Sequence, residues 1–170
     1  VLGVGYVPQD PGAGLLPWYS VRDNVLLPLR CRGASAADQE RALASVREVL
    51  DPDGDVDLEA HPRTLSGGQT QLVALMRGLA SSSRLLVCDE PFSAMDAPAR
   101  VRLRASLRGH CESPHGPAML FTTHDLDDMV ELATRVLLVV GSPATIERAV
   151  DPGRAGARHA IGSALAEAHR

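Results

Sequence analysis

The chain has 170 residues, of which 45% are hydrophobic, and its formal net charge is −4 at pH 7. This length and composition suit one globular domain with a sizeable core, and the charge excludes the strongly basic surface typical of nucleic-acid-binding proteins. No apolar run approaches the roughly 20 residues that cross a bilayer, so the sequence predicts that any membrane contact goes through a partner.

Residue usage limits the chemistry further. The cysteines, Cys31, Cys88 and Cys111, form no Cys-x-x-Cys pair, which fits a reducing compartment better than a disulfide framework. All 17 basic residues are arginine, so the phosphate-binding pattern G-x-x-x-x-G-K-[ST] does not occur in these residues. The chain begins inside an apolar run without Met, and we expect it to be a fragment of a longer protein.

The first half of the chain alternates between apolar and breaker-rich segments. Residues 1–7 predict a short strand, and the Pro- and Gly-rich residues 8–17 predict a loop. Ser35 to Asp38 resembles a capping box with Asp in place of Glu, and it opens a helix with apolar residues at helical spacing. Residues 51–62 form an acidic linker.

The second half predicts further helices and strands in alternation. These elements are a helix from Gly68, a buried strand over 84–88, a helix capped by Asp96 with Pro98 in its first turn, a strand over 118–121, a helix capped by Asp125 and a strand over 135–140. The alternation is typical of an α/β fold with a parallel sheet, in which ligands bind at the carboxyl ends of the strands. Asp89, Glu90 and His124 all fall at such ends.

Two short runs carry chemistry. Ser66, Gly67 and Gly68 stand where an apolar helix begins, and the exposed backbone N–H groups and dipole there suit a phosphate oxygen. The same string alone also describes a serine N-cap followed by a tight turn. Asp89 and Glu90 directly follow an apolar strand, and two adjacent carboxylates project differently from a strand end. Alone, this pair also describes a solvated strand terminus with a helix-capping acid.

The runs Leu65–Gln69 and Leu85–Pro91 together resemble the signature and Walker B motifs of ATP-binding-cassette (ABC) transporter ATPases. Three more segments are similar to the family: Gln9 to the Q-loop, Ser93–Asp96 to the D-loop, and Thr122–Asp125 to the H-switch. The resemblance implies a partial P-loop NTPase domain over residues 1–140, with a parallel sheet core, a helical signature region over about 10–80, and no Walker A portion. Residues 141–170 are expected to form a peripheral tail.

The resemblance also implies a role for each matching residue. Glu90 would orient or deprotonate the attacking water, and the imidazole of His124 would contact the γ-phosphate of ATP. Asp89 and Gln9 would hold Mg²⁺. The residues implied in nucleotide binding are Gln9, Ser66, Gly67, Gly68, Gln69 and Asp96, the signature residues acting across a dimer on the nucleotide of a second subunit.

The stretch after Gln9 is similar to importer ATPases for nitrate, sulfonate and taurine, through Leu15–Trp18 and Val21–Val25. Residues 24–29 are also similar to lipoprotein-release and efflux-type cassettes. The implied partners are a permease reached through the Gln9 loop, a second ATPase subunit and a solute-binding protein, with the ATPase peripheral to the cytoplasmic face of the cell membrane. Trp18 is interpreted either as a core aromatic or as a surface residue at the permease contact.

Other interpretations differ in class. A second interpretation is a natural half-cassette that acts as a binding or regulatory partner and offers its signature motif to another subunit's nucleotide without binding its own. The 170 residues alone are expected to bind ATP very weakly. Chromosome-repair ATPases are disfavoured, because Gln9 and Ser66 share one stretch without intervening coiled-coil heptads. A calcium loop over residues 51–57 is rejected on spacing. His110, Cys111 and His115 lack the spacing of a zinc site.

Overall fold

The computed structural model describes residues 3–141, 143–153 and 155–168. It forms two compact units, Val1–Thr122 and Thr123–Arg170. The first unit contains, in order, β1 (Val4–Val7), α1 (Pro11–Gly14), α2 (Val21–Cys31), α3 (Ala36–Leu50), a 3-10 turn (Pro62–Thr64), α4 (Gly67–Ala80), β2 (Leu85–Asp89), α5 (Ala97–Glu112) and β3 (Ala118–Thr122). The second contains α6 (Leu126–Leu132), β4 (Val136–Val140), β5 (Thr145–Val150) and α7 (Ala157–Ala168). Residues 1 and 2 of the predicted first strand lie outside the described residues.

A three-stranded parallel sheet organises the first unit, with strand order β1-β2-β3. Val7 is in register with Cys88, which is in register with Phe121, and Asp89 is paired with Thr122. The carboxyl ends of all three strands therefore lie along one edge. This confirms the predicted α/β fold with a parallel sheet and brings the segments after each strand to a common edge.

The two faces of this sheet differ in burial. Side chains on one face, including Val7 and Leu86, are buried under helices, whereas Val4, Tyr6 and Leu120 on the other face are 57%, 62% and 56% exposed. In the second strand, which was predicted to be covered on both faces, Leu86 and Cys88 are buried and Leu85 and Val87 on the opposite face are half-buried. A continuous apolar run gives no information about which face a neighbouring element covers.

Two glycines let α4 lie close against the sheet. A Cβ on Gly5 of β1 would stand 2.7 Å from the carbonyl oxygen of Gly78, and a Cβ on Gly78 would stand 2.9 Å from Leu86 Cδ1. The contact at Gly5 is with backbone, which cannot move aside, so that position requires glycine, whereas a Cβ at Gly78 would have to displace the end of the Leu86 side chain. The close approach fixes α4, and with it the run that begins at Ser66, relative to the strands.

Helix α2 was not predicted from the sequence. Ser20 caps it by accepting a hydrogen bond from the Asp23 N–H, and Pro28 lies inside its last turns. Proline in a helix interior removes a backbone donor, so the sequence signal at this position argued against a helix. Packing compensates for the proline, because Val21, Val25 and Leu26 are almost completely buried.

Asn24 organises the segment that precedes α2. Its side chain is fully buried, its Oδ1 accepts from the Leu16 N–H at 2.8 Å, and its Nδ2 donates to the carbonyls of Leu16 and Ser20, both at 3.0 Å. A buried amide satisfied in this way pins the loop to the helix. The ring of Trp18, in the pinned segment, is 68% exposed, which agrees with the surface interpretation of this residue.

Two local predictions need correction. The loop predicted over residues 8–17 contains one helical turn, α1, which Asp10 caps through the Ala13 N–H. The predicted acidic linker over residues 51–62 is held to the fold at its first residue, because Asp51 is 4% exposed, accepts from the Val56 N–H and pairs with Arg47. At the predicted capping box, the Asp38 carboxylate accepts from the Ser35 hydroxyl at 2.6 Å. The aspartate side chain is one methylene shorter than the glutamate that normally reaches the backbone N–H of the cap.

The second unit contains elements that the sequence did not predict. Strand β4 pairs antiparallel with β5 rather than extending the parallel sheet, and α7 follows. Met129, Val136, Leu138 and Ile161 form a buried cluster that unites α6, β4 and α7. Residues of β5 are mostly exposed, so its sequence lacks the apolar alternation by which a strand is recognised. None of the helices in the described part of the chain has the length and apolarity needed to cross a bilayer.

Thiol reactivity provides a test of this packing. Cys31 is exposed, Cys111 is half-buried and Cys88 is buried; burial raises the pKa of the Cys88 thiol to about 12. The thiolate is the reactive form, so at about pH 8 we expect a disulfide reagent to label Cys31 first and Cys88 only after unfolding. Raising the pH towards the pKa should increase the Cys88 rate. Equal labelling rates for Cys31 and Cys88 in the folded chain would contradict this burial.

Candidate functional site

Asp89 and Thr122 end neighbouring strands and meet at the carboxyl edge of the sheet. The Thr122 hydroxyl donates to Asp89 Oδ1. The same oxygen, Oγ1, accepts a hydrogen bond from the Glu90 N–H at 3.0 Å. One hydroxyl thus contacts both members of the carboxylate pair, through the side chain of Asp89 and the backbone of Glu90.

Glu90 has an unusual backbone conformation. Its φ is +48°, in the left-handed region that side chains other than glycine rarely adopt. Such a conformation costs about 1–3 kcal/mol and persists only where surrounding contacts enforce it, most often at functional sites. The Glu90 carbonyl accepts from the Ser93 hydroxyl at 3.0 Å and from the Ser93 N–H at 3.2 Å, so the chain turns sharply after the strand.

The segment after Glu90 is anchored by Phe92 and Asp96. Phe92 is 1% exposed, and its ring packs edge-to-face on Phe121 with 6.4 Å between centroids. Asp96 caps α5 by accepting from the Ala99 N–H at 2.8 Å, as predicted. Its carboxylate is therefore engaged within the fold, in addition to any role toward a nucleotide.

The signature run forms a reciprocal capping box. Ser66 Oγ accepts from the Gln69 N–H at 3.2 Å, and Gln69 Oε1 accepts from the Ser66 N–H at 3.0 Å. Gln69 also donates to the carbonyl of Asp55 at 3.2 Å. The serine N-cap interpretation is thus confirmed. The following N–H groups of Gly67 and Gly68 begin α4 and face the end where a helix dipole favours anions.

Folding does not explain the glycines of this run. A Cβ on Gly67 would lie 3.8 Å from Ala94 Cβ, and one on Gly68 would lie 3.6 Å from the Ala94 carbonyl oxygen. Both are ordinary contact distances, and neither glycine has a positive φ. These contacts also place the signature turn beside the Ser93–Asp96 segment.

Gln9 and His124 occupy different units. Gln9 is exposed and follows β1, whose neighbour β2 ends in Asp89, so Gln9 lies along the same sheet edge as the carboxylates. His124 is exposed and belongs to the second unit. There, Asp125 caps α6 by accepting from the Asp127 N–H at 2.8 Å, as predicted.

Sequence reasoning missed two residues, Thr122 and Arg77, that hold site segments together within the first unit. Thr122 was noted only as part of the H-switch run, although a hydroxyl at a strand end beside an acidic strand end was the available signal. Arg77 on α4 donates to the carbonyl of Gly14 at 2.5 Å and so ties the signature helix to the segment after Gln9. Burial lowers the pKa of the Arg77 guanidinium. No sequence pattern indicated this contact, because it joins residues 63 positions apart.

Comparison with known proteins places the chain in a family. Residues 2–93, more than half of the 170, match the family model described as "ABC transporter". The chain belongs to the ABC transporter family. This confirms the resemblance on which the site residues were chosen.

Named relatives of this ABC family chain include sulfonate importers. It is 42% identical over 147 residues to aliphatic sulfonates import ATP-binding protein SsuB 1 of Xanthomonas axonopodis pv. citri. This alignment covers 86% of the chain and 56% of the relative. It is 48% identical over 126 residues to SsuB 2 of Nocardia farcinica. That alignment covers 74% of the chain and 49% of the relative. The chain thus spans about half the length of the curated relatives it matches.

Solved structures agree on the fold. The dimeric post-hydrolysis state of the ATP-binding cassette MJ0796 bound to ADP and Pi superposes with a TM-score of 0.74 at 24% identity, over 89% of this chain and 63% of that one. A second dimeric structure of MJ0796 gives the same TM-score at 22% identity. The α/β architecture with its parallel sheet is therefore that of an ABC ATPase cassette.

Proposed function

We propose that the full-length protein is the ATPase subunit of a membrane importer for a small anion, an aliphatic sulfonate or a related solute such as nitrate or taurine. The observation that carries the proposal is the Asp89–Glu90 pair at the carboxyl edge of a parallel sheet. The relatives named as sulfonate import ATP-binding proteins support the choice of substrate class. Residues 1–140 would supply part of the ATPase domain, and residues 141–170 a C-terminal segment.

The donor set at the edge fits MgATP. Asp89 offers a half-exposed carboxylate, and oxygen ligands of this kind are those Mg²⁺ takes in nucleotide sites. The Gln9 amide on the same edge would be a second ligand. Bound Mg²⁺ would neutralise the charge that develops on the phosphates, while Asp89 fixes its position against the sheet.

Glu90 and His124 would divide the hydrolytic work. Glu90, beside the metal-binding Asp89, would orient or deprotonate the attacking water. His124 would contact the γ-phosphate and stabilise its charge. A simple strand-to-loop connection could place glycine at this position without strain. The presence of Glu90 there, with its strained backbone, therefore supports a functional role for the position.

The signature turn would act in a dimer of two ATPase subunits. Ser66, Gly67, Gly68 and Gln69 would bind the nucleotide held by the other subunit, with Asp96 nearby in the D-loop. Neither glycine is required by packing within the fold, which supports a requirement for close approach of a phosphate to the backbone. The exposed Trp18, in the segment after Gln9, would contact the permease and place the protein peripherally on the cytoplasmic face of the membrane.

Reconstitution tests the proposal. The full-length protein, purified with the permease encoded beside it and placed in proteoliposomes, is assayed for uptake of an aliphatic sulfonate with and without MgATP. ATP-dependent uptake is the expected result. Absence of ATP hydrolysis by the complete complex would refute the ATPase assignment, whereas hydrolysis stimulated by another solute would refute only the substrate class.

A glycine substitution should separate folding from function. In the full-length protein, Gly67→Ala adds a Cβ that the fold accommodates, so the free energy of unfolding should change by less than about 1 kcal/mol. ATP hydrolysis should fall about tenfold or more, because small displacements of reacting groups carry large kinetic costs. Denaturant unfolding and phosphate release measure the two effects.

Gly109→Ala is the matched control for that substitution. Gly109 lies in α5 with no atom within 4 Å of its added Cβ, so alanine should raise stability by about 0.5–1 kcal/mol through helix propensity. Hydrolysis by this variant should stay at the wild-type rate. If Gly67→Ala hydrolyses ATP as fast as Gly109→Ala, the signature glycines have no role at the nucleotide.

A further inference from the structure

Thr122 is placed to control the carboxylate pair. It is the last residue of β3 and lies directly opposite Asp89 in the parallel register. Its hydroxyl has one proton to donate, which goes to Asp89 Oδ1. Its oxygen also accepts from the Glu90 N–H at 3.0 Å.

These two bonds act on different degrees of freedom. The bond to Asp89 restricts rotation of that carboxylate about its terminal torsion, which is otherwise broad. The bond to the Glu90 N–H holds the peptide between Asp89 and Glu90 and supports a φ of +48° at Glu90. Together they set where the Asp89 oxygens point and where the Glu90 side chain leaves the backbone.

We propose that Thr122 is a positioning residue for ATP hydrolysis, aligning the Asp89 carboxylate for Mg²⁺ and the Glu90 backbone for water activation. The inference rests on the proposed function of the Asp89–Glu90 edge. Thr122 acts indirectly, through the Asp89 carboxylate and the Glu90 backbone. Thr122 belongs to β3, whereas Asp89 belongs to the neighbouring strand β2. The register between these two strands therefore places the Thr122 hydroxyl beside Asp89.

The test compares Thr122→Val with Thr122→Ser in the full-length protein bound to its permease. Valine keeps the shape and strand preference but removes the hydroxyl, and serine restores it. Thr122→Val should lower kcat about tenfold to a hundredfold, with KM for ATP within about twofold, and raise the half-saturating Mg²⁺ concentration severalfold. Thr122→Ser should recover kcat to within about threefold.

Thr145→Val provides the matched control. Thr145 is also a strand threonine whose hydroxyl donates to a carbonyl, that of Val140 at 3.4 Å, and it lies in β5 of the second unit, a strand to which the proposed function gives no role. Its kcat and Mg²⁺ dependence should equal the wild type. A kcat for Thr122→Val within about twofold of wild type, or a serine variant as slow as the valine variant, would overturn the proposal.

Two further comparisons keep the outcomes distinct. If Thr122→Val does not fold, Thr122→Cys replaces it, because a thiol of similar size is only a weak hydrogen-bond donor; equal kcat for Ser and Cys then overturns the proposal. Wild-type complex that hydrolyses no ATP refutes the proposed function itself. Wild-type hydrolysis that persists in Thr122→Val refutes only the positioning role.

Discussion

The Glu90→Gln variant of the full-length protein is expected to retain ATP but to lose turnover by about 10²–10⁴-fold. Glutamine keeps the length and shape of the side chain, but its amide cannot accept the proton of the attacking water. The backbone contacts that position Glu90 do not involve its carboxylate and should survive, because the Glu90 N–H donates to Thr122 Oγ1 and the Glu90 carbonyl accepts from the Ser93 hydroxyl. Phosphate release measures turnover, and retention of labelled ATP on the complex measures binding.

A control variant distinguishes the loss of a catalytic base from the loss of a surface charge. Glu112→Gln is the control, because Glu112 is an exposed residue at the end of α5 whose carboxylate pairs with Arg108. That variant should hydrolyse ATP at the wild-type rate, since exposed ion pairs contribute little. Unchanged hydrolysis in Glu90→Gln would contradict the catalytic assignment. Loss of ATP binding in the same variant would indicate a nucleotide-binding role instead.

The elements that could be predicted from sequence are those with strong local signals. The N-caps at Ser35, Ser66, Asp96 and Asp125 all form, because a short polar side chain before an apolar helical pattern satisfies a helix N–H wherever it occurs. The second and third strands were also predicted, and each ends within one position of the residue at which its apolar run predicted the end.

The features that the sequence did not predict depend on how residues are packed and buried in the fold. Pro28 argued against α2, which burial and the Asn24 hydrogen bonds nevertheless stabilise. On α4, the polar Gln71 is fully buried, whereas the apolar Leu72 beside it is only half-buried. Local hydrophobicity cannot reveal which polar side chain the packing encloses.

The candidate site also has a part that could be predicted from the sequence and a part that could not. Motif spacing predicted Asp89 and Glu90, and the parallel register confirms that they stand at a sheet edge. The Thr122 bridge could not be derived from spacing, because it requires knowing that residue 122 lies opposite residue 89. Register is decided by the packing of whole strands, and the sequence of one strand does not contain it.

Phe92→Ala is expected to destabilise the protein by about 3–5 kcal/mol, a large share of typical domain stability. The Phe92 ring is 1% exposed, packs on Phe121, and lies under the Arg100 guanidinium at 6.0 Å. Alanine leaves a cavity between the end of the parallel sheet and the start of α5. The backbone on both sides of this cavity is rigid, so the two elements cannot move together to close it. Urea unfolding of the full-length protein measures the loss, with an unchanged m-value.

The position of Phe92 connects this stability effect to the chemistry. It stands two residues after Glu90, and its carbonyl accepts from the Met95 N–H at 3.2 Å inside the D-loop turn. We therefore expect Phe92→Ala to increase hydrogen exchange at the Met95 amide as well as to lower stability. Phe92→Leu refills most of the cavity and should cost less than about 1.5 kcal/mol. Val101→Ala, at a residue 54% exposed on α5, should change stability by only about 0.5 kcal/mol. If Phe92→Ala costs no more than Val101→Ala, this ring does not anchor the turn that carries Glu90.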